Sequence, residues 1–246
     1  MRTHGCMGFA ALEGVVVDRA MTKPRGVSFG KMEQAILEAA GDLFDRKGFN
    51  QTTLQDIADA IGMARPSLYH YFNNREQILA AGVDMLTKQR DVIIEELRGL
   101  DGDPVQRLTA LMLGLATLIS AHPVWVRILL RDEAALPEDA SVRDRESRLA
   151  FLELLVQTLR EGAKQGYLRA HDERAIGLTI ISALSGLQGH YAATADTSPE
   201  EATRLAVDVI LNGVVDPTRR RGTPVERGLE LIREGTELIQ RATAKD

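Results

Sequence analysis

The sequence is poor in the residues that usually build catalytic or metal centres. It has a single cysteine, Cys6, which cannot form a disulfide within the chain and excludes a zinc site made of cysteines. The five histidines show no metal-ligand spacing and no His-Glu-x-x-His motif. No nucleophile elbow, phosphate-binding loop, dinucleotide fingerprint or paired-carboxylate arrangement occurs at a persuasive spacing. The sequence therefore predicts no catalytic residues, no metal and no cofactor.

Long hydrophobic runs are missing as well. No stretch approaches the roughly 18–20 apolar residues of a membrane span, and the first residues lack the roughly 7–15-residue apolar run of a signal peptide. We therefore expect no membrane association and a cytoplasmic location. Hydrophobic residues make up 44% of the chain and charged residues 26%, which is ordinary for a soluble globular protein.

Charge of one sign does not dominate the chain. The net charge of −5 argues against a protein that coats nucleic acid indiscriminately. It does not argue against a small DNA-reading module, because the local charge decides. Residues 46–75 carry four basic side chains against two acidic ones, so the acidic surplus lies elsewhere.

What the sequence does have is helical periodicity almost throughout. Apolar residues recur at helical spacing, and no segment combines strand-type alternation with turn chemistry, so we predict an all-α fold. Residues 1–27 are expected to form a flexible arm, 28–75 an N-terminal three-helix domain, 76–215 a larger helical domain, and 216–246 a linker with an extra amphipathic helix. The predicted helices are 28–47, 54–61, 65–72, 74–97, 104–120, 123–132, 140–165, 172–191 and 199–214.

Residues 53–72 hold two short helical patterns separated by a glycine. Ala58 is small where two helices would cross, and Gly62 can adopt a positive φ at the turn without steric cost. This layout predicts a helix-turn-helix, whose second helix enters the major groove of DNA. An ordinary helical hairpin is the alternative that the spacing alone leaves open. The apolar residues expected to join the two helices are Ile57, Ile61, Met63 and Leu68.

The outward face of the second helix carries groups suited to DNA. Arg65 can pair bidentately with guanine, and Ser67 can bond a base edge or a phosphate. Pro66 falls in the first turn, where a missing N–H costs nothing. Tyr69 offers a flat apolar body and a hydroxyl, and His70 lies on the same face.

Residues 31–79 resemble the N-terminal domain of the TetR family of transcription regulators. The resemblance covers about a fifth of the chain. Its matching pieces are 36–40 (Ile-Leu-Glu-Ala-Ala), 43–44, 48–49, 52–53, 56–58 (Asp-Ile-Ala), Gly62, 68–72 (Leu-Tyr-His-Tyr-Phe) and 74–76 (Asn-Arg-Glu).

The resemblance implies which side chains meet DNA. It makes Arg65, Pro66, Ser67 and Tyr69 candidates for base edges, and Thr53, Tyr71 and Arg75 candidates for phosphates. Helix N-termini bind anions through unpaired N–H groups, which supports Thr53 and Arg75. One departure is Ala64, where the family often has a serine or threonine that caps the recognition helix.

The resemblance also implies a homodimer whose C-terminal helices enclose a small-molecule pocket. The helices 172–191 and 199–214 would form the dimer bundle. The first is apolar nearly all round and rich in small residues, which either an interface or a core position explains. Polar and aromatic groups within apolar helices are the candidates for the pocket, although for each of them alone a core or surface role is favoured. They are His122, Trp125, Arg127, Arg131, Gln188, His190 and Tyr191.

The function that these observations favour is a ligand-responsive transcriptional repressor. Two recognition helices would lie about 35 Å apart and read a palindromic operator. The alternatives are a helical adaptor that uses the helix-turn-helix fold for protein contacts and, less favoured, an enzyme. The sequence names neither the effector nor the operator.

Overall fold

The computed structural model describes residues 30–169, 172–191 and 199–216, except for the side chains of 187–191 and 199–200. The predicted all-α fold is confirmed, because these residues form helices and no β-strand. Short 3-10 turns cover Phe49–Gln51 and Glu133–Ala135. The α-helices are α1 (Lys31–Lys47), α2 (Leu54–Ala60), α3 (Arg65–Leu68), α4 (Arg75–Arg98), α5 (Pro104–Ala121), α6 (Pro123–Asp132), α7 (Glu138–Lys164), α8 (Glu173–Tyr191) and α9 (Pro199–Val214).

Most helix boundaries agree with the sequence prediction to within about two residues, as is usual for helix ends. The main difference is the recognition helix, for which 65–72 was predicted. Its α-helical part ends at Leu68, and the chain continues as turns in which the N–H groups of Tyr71 and Phe72 donate to the Leu68 carbonyl at 2.9 and 3.0 Å. The predicted arm at 1–27 and all but the first residue of the predicted 216–246 extension lie outside the described residues.

The N-terminal three helices pack around one apolar face of α1. Ile36, Ala40 and Phe44 repeat at a four-residue interval and are fully buried. Ala58 of α2 and Leu68 of α3 are buried in the same cluster, as the helix-turn-helix pattern requires. Gly62, which joins the two helices, has a φ of 67°.

This N-terminal core does not end at the start of α4. It continues through the first half of α4, at Ile78 and Val83, and includes Trp125 and Ile128 of α6. The helix-turn-helix is therefore packed directly on the helices that follow it in the sequence. A movement of α4 or α6 must change the packing of α1.

A second core lies among the end of α4, α5, α7, α8 and α9. An isolated antiparallel bridge between Leu168 and Val215 joins the end of α7 to the end of α9. Contrary to the expectation from the sequence, helix α5 is long and apolar enough to cross a membrane, by length and composition alone. Because 61% of that stretch is buried inside the protein, α5 has the environment of a core helix.

Candidate nucleic-acid interface and effector cavity

The N-terminus of α2 is held by a reciprocal capping box. The Asp56 N–H donates to the Thr53 hydroxyl at 3.1 Å, while the backbone N–H and the hydroxyl of Thr53 both donate to Asp56 Oδ2 at 2.8 Å. Lys47 from α1 reaches Asp56 Oδ1 at 2.9 Å. The hydrogen bond from Lys47, followed by those from Thr53, lowers the pKa of Asp56 to about 2. The cap predicted at Thr53 is present, and it joins α2 to α1.

We expect α2 to become less stable at low pH, when Asp56 is protonated. Because folding lowers the pKa of this carboxyl from 3.8 to about 2, its stabilisation is complete above pH 3.8 and is lost as the pH falls through 2. In Asp56→Asn, the thermal midpoint should depend less on pH across this window. The matched control is Asp59→Asn, which removes an exposed carboxylate of the same helix that takes no part in the capping box. An unchanged pH profile in Asp56→Asn would contradict the assignment.

The recognition segment presents a pre-ordered arginine and tyrosine. Arg65 donates from Nη2 to the Tyr69 hydroxyl at 2.9 Å, and its guanidinium carbon lies 5.6 Å from the Tyr69 ring centre. Both side chains are exposed. Ala64 occupies the N-cap position without a side-chain hydrogen bond, as its missing hydroxyl predicts.

The other predicted DNA contacts divide by exposure. Pro66, His70 and Tyr71 are exposed beside Arg65, whereas Ser67 is half-buried. Leu68 and Phe72 point into the core and fix the orientation of the segment. The structure thus brings the predicted base-reading residues together at one exposed end of the molecule.

Arg75 does not simply point into solvent towards a phosphate, because it makes several contacts within the protein. Its Nη1 donates to the carbonyls of Phe49, Asn50 and Thr52 at 3.0, 3.0 and 2.8 Å, and its guanidinium lies 5.0 Å from the centre of the Phe49 ring. These bonds hold the 3-10 turn that leads into α2. A phosphate contact would therefore have to come from Nε or Nη2.

Three of the predicted pocket residues instead join α6 to α1 and α4. The Trp125 indole is buried, and it contacts Gly41 of α1 and Gly82 of α4. Arg127 Nη2 lies 2.6 Å from Asp45 Oδ2, and this hydrogen bond lowers the pKa of Asp45. Arg131 Nη2 donates to the Phe44 carbonyl at 2.6 Å. The structure does not place Trp125, Arg127 or Arg131 on the cavity wall.

His122 is also outside the cavity wall. It lies between α5 and α6, where Nε2 is 2.9 Å from Gln89 Oε1 and burial lowers its pKa. The side chains of Gln188, His190 and Tyr191 lie outside the described residues, so their predicted role stays a prediction.

The cavity lies between α4, α5, α6, α7 and α8, and its volume is about 140 Å³. Most of its wall is apolar, and its polar lining comes from Arg90, Arg148 and Ser185. Leu130, which is largely exposed, lies at its rim. The described lining residues are Leu86, Arg90, Leu115, Leu118, Ile119, Val126, Leu129, Leu130, Arg148, Phe151, Ile181 and Ser185.

A buried ion-pair cluster supports the polar side of this cavity. Asp144 of α7 is fully buried, with its Oδ1 at 3.0 Å from Arg90 Nη1 and its Oδ2 at 2.8 Å from Arg148 Nε. Thr87 of α4 also donates to Asp144 Oδ1, at 3.3 Å. Arg148 Nη2 bonds to Glu133, which follows α6 directly.

This cluster was not predicted from the sequence, although a signal was present. Arg90 lies on the buried stripe of α4, four residues after Leu86 and four before Ile94. A charge on an otherwise apolar stripe indicates a buried partner, since an unpaired buried charge is very unfavourable.

Two family models match the chain. The model described as bacterial regulatory proteins, tetR family, matches residues 36–81, and the model described as tetracyclin repressor-like, C-terminal domain, matches residues 101–214. The first match covers the helix-turn-helix. The second covers α5 to α9, and most of the cavity wall falls within it.

Individual proteins are also similar to this chain. The transcriptional repressor KstR2 of Mycobacterium tuberculosis is 29% identical over 143 residues, which are 54% of this chain and 68% of the relative. The solved structure of KstR2 has a TM-score of 0.69 at 20% identity and covers 77% of this chain and 97% of the KstR2 chain.

Two further solved structures share the fold. The TetR family regulator PfmR of Thermus thermophilus has a TM-score of 0.65 at 28% identity, covering 72% of this chain and 97% of its own. AibR, whose structure contains isovaleryl coenzyme A and operator DNA, has a TM-score of 0.63 at 23% identity, covering 73% and 97%.

Proposed function

Because this chain belongs to the TetR family of bacterial transcriptional regulators, we propose that it is a cytoplasmic homodimeric repressor that leaves a palindromic operator when a small molecule fills its cavity. As a member of that family it is a DNA-binding regulator, and the family's members are not enzymes. KstR2 is named a repressor, and the AibR structure contains both operator DNA and a small molecule, which supports the proposal by analogy.

The observation that carries the ligand response is the position of α6. One face of this helix, at Val126 and Leu129, lines the cavity. The neighbouring positions Trp125 and Arg127 hold α6 against α1 and α4. A molecule that enters the cavity must therefore press on a helix that is attached to the DNA-reading domain.

Repression and release then follow from a population shift. The operator favours the conformation in which the two recognition segments of a dimer match successive major grooves, about 34–36 Å apart. A ligand that binds another conformation more tightly shifts the population away from the DNA-bound form by its difference in affinity. Helices α4 and α6 are the elements that would carry this change.

The proposed dimer uses α8 and α9. Leu178 of α8 and Leu205 and Val209 of α9 are large apolar side chains that are between 48% and 60% exposed in the single chain. Exposed apolar side chains on two adjacent helices are typical of an interface. A second copy that supplies the same two helices would bury them in an isologous four-helix contact.

The proposed DNA contacts separate into base readout and backbone contacts. Arg65 and Tyr69, with Pro66, Ser67 and His70 beside them, are proposed to meet base edges. Thr53, Tyr71 and Arg75 are proposed to meet phosphates or to hold the backbone that does so. The capping box and the Arg75 bonds favour an indirect role for Thr53 and Arg75, because the Thr53 hydroxyl and Arg75 Nη1 already have partners in the protein.

The experiment that tests this function is a salt-dependent gel-shift titration on the DNA upstream of the gene. Arg65→Ala should weaken specific binding by roughly 1–3 kcal/mol and relax the preference at one base position. Tyr69→Phe keeps the ring but removes the hydroxyl bonded to Arg65, so a smaller loss is expected. Arg145→Ala is the matched control, because it removes one exposed arginine far from the recognition segment.

Two results would contradict the proposal. One is an Arg65→Ala protein with unchanged affinity and unchanged sequence preference. The other is a wild-type protein whose affinity for upstream DNA equals its affinity for random DNA at the same salt concentration. Sedimentation of the same samples tests the dimer, since Val209→Arg on α9 should yield monomers.

A further inference from the structure

We propose that the effector is a small organic acid, a compact apolar body with one carboxylate, and that Arg148 binds this carboxylate in exchange for Glu133. The inference rests on the proposed function, because it names the class of ligand that the cavity takes. Three observations support it: the charge of the cavity wall, the size of the cavity and the partners of Arg148.

The charged groups on the described wall have a single sign. Arg90 and Arg148 line the cavity, and no described lining residue is acidic. Asp144, which pairs with both arginines, is fully buried in the contact between α4 and α7 and does not belong to the wall. A ligand inside the cavity therefore meets guanidinium groups and the Ser185 hydroxyl but no carboxylate. Such a lining favours an anion and disfavours an amine.

The cavity volume limits the apolar part of the ligand. The cavity measures about 140 Å³, and apolar cavities of about 150 Å³ in other proteins accept a molecule the size of benzene. The body is therefore a single ring or a short branched chain. The apolar side chains that would enclose it include Phe151 and Ile181.

Arg148 is better placed than Arg90 to take the carboxylate. Arg90 is only 7% exposed, and its described hydrogen bonds all run from Nη1 to Asp144. The Arg148 side chain is 35% exposed, and its Nη2 is bonded to Glu133, whose side chain is 42% exposed. An ion pair this exposed contributes little to stability. A carboxylate held inside the cavity can replace it in a drier setting, where the same bond is stronger.

This exchange connects the ligand to the DNA-reading helices. Glu133 begins the 3-10 turn directly after α6, so its bond to Arg148 fixes the end of α6 on α7. A ligand that takes Arg148 removes this restraint. Because Arg127 and Arg131 of α6 hold α1, a shift of α6 changes the position of the DNA-reading domain.

The test is calorimetry with acids and their neutral amides, namely benzoate against benzamide and 4-methylpentanoate against 4-methylpentanamide. We expect each acid to bind at least about tenfold more tightly than its amide, as a charge-assisted bond predicts. Arg148→Gln should abolish this preference, and Arg148→Lys should keep part of it. Glu133→Gln should strengthen acid binding several-fold and leave amide binding unchanged, because it removes the competing carboxylate.

Matched controls separate this effect from a general change of charge or from misfolding. Arg145→Gln and Glu146→Gln change the charge by the same amounts at exposed positions of α7 and should bind like the wild type. The thermal stability of each variant is measured first. Arg148→Gln is expected to weaken acid binding and Glu133→Gln to strengthen it, and a loss of folding common to both variants could not produce these opposite changes. Three results would overturn the inference: equal affinity for acid and amide, acid binding that survives Arg148→Gln, or no acid binding at a ligand concentration of about 10 mM.

Gel shifts on the same variants distinguish the two proposals. If operator binding is present but acids show no Arg148-dependent affinity, the ligand assignment fails and the repressor remains. If acids bind through Arg148 but no specific DNA binding is found, the ligand assignment stands and the repressor fails.

Discussion

Replacing Gly82 with alanine should lower the free energy of unfolding by about 3 kcal/mol, the upper end of typical overpacking costs. A Cβ atom at this position would lie 2.3–2.4 Å from three ring atoms of Trp125. Either the indole leaves its site between α1 and α4 or α4 moves away from α6. In an exposed helix interior the same substitution would stabilise by up to about 1 kcal/mol, so the sign of the effect is itself the test.

Chemical denaturation of Gly82→Ala is the measurement, and two variants make it specific. Gly99→Ala, just after the same helix, meets no atom within 4 Å and should be close to neutral. Gly82→Ala should cost less in a Trp125→Leu background than in the wild type, and the difference between the two costs is the coupling energy between the sites. A Gly82→Ala protein as stable as the wild type would contradict the described contact.

Replacing Asp144 with asparagine should destabilise the fold by about 3–5 kcal/mol, the cost of removing one partner of a buried ion pair. The carboxylate is fully buried and is the described anion of Arg90, which is itself only 7% exposed. Without it, a buried guanidinium on α4 would face an amide in place of a charge. We expect the packing of α4 against α7 to loosen, and the cavity wall with it.

Denaturant unfolding of Asp144→Asn should be compared with that of Asp139→Asn, an exposed aspartate on the same helix that pairs with Arg143. The stability lost in Asp139→Asn should be small by comparison, as for exposed ion pairs in general. The double variant Arg90→Met with Asp144→Leu should be far more stable than Asp144→Asn, because no unpaired charge remains. If the double variant were no more stable, burial of an unpaired charge would not be the cause.

The helix-turn-helix was readable from the sequence because its determinants are local. The cap at Thr53 is built with Asp56, three residues later, and the positive φ of Gly62 depends on its own missing Cβ. Helical periodicity also predicted α1, and Ile36, Ala40 and Phe44 on one of its faces are fully buried. The predicted length of the recognition helix was wrong. Leu68 and Phe72 are both held in the core, and the chain between them forms tight turns in place of a regular helix.

The effector cavity was not readable in the same way. Trp125 and Arg127 are polar or aromatic residues in an apolar helix, which is the pattern of a ligand site. In the structure they lie against α1 and α4, because α6 contacts the DNA-reading domain with one face and the cavity with another. Helical periodicity shows which residues share a face. It does not show which neighbour that face meets.

The sequence by itself determined the helices, the turn chemistry and the family, all of which depend on residues close together in the chain. The tertiary structure alone decided that Arg90 pairs with Asp144 beside the cavity, and that α6 lies between the cavity and α1. Arg90 and Asp144 are 54 positions apart, and Asp45 and Arg127 are 82 apart. Pairs at such distances are selected by the packing of whole helices, which no local pattern encodes.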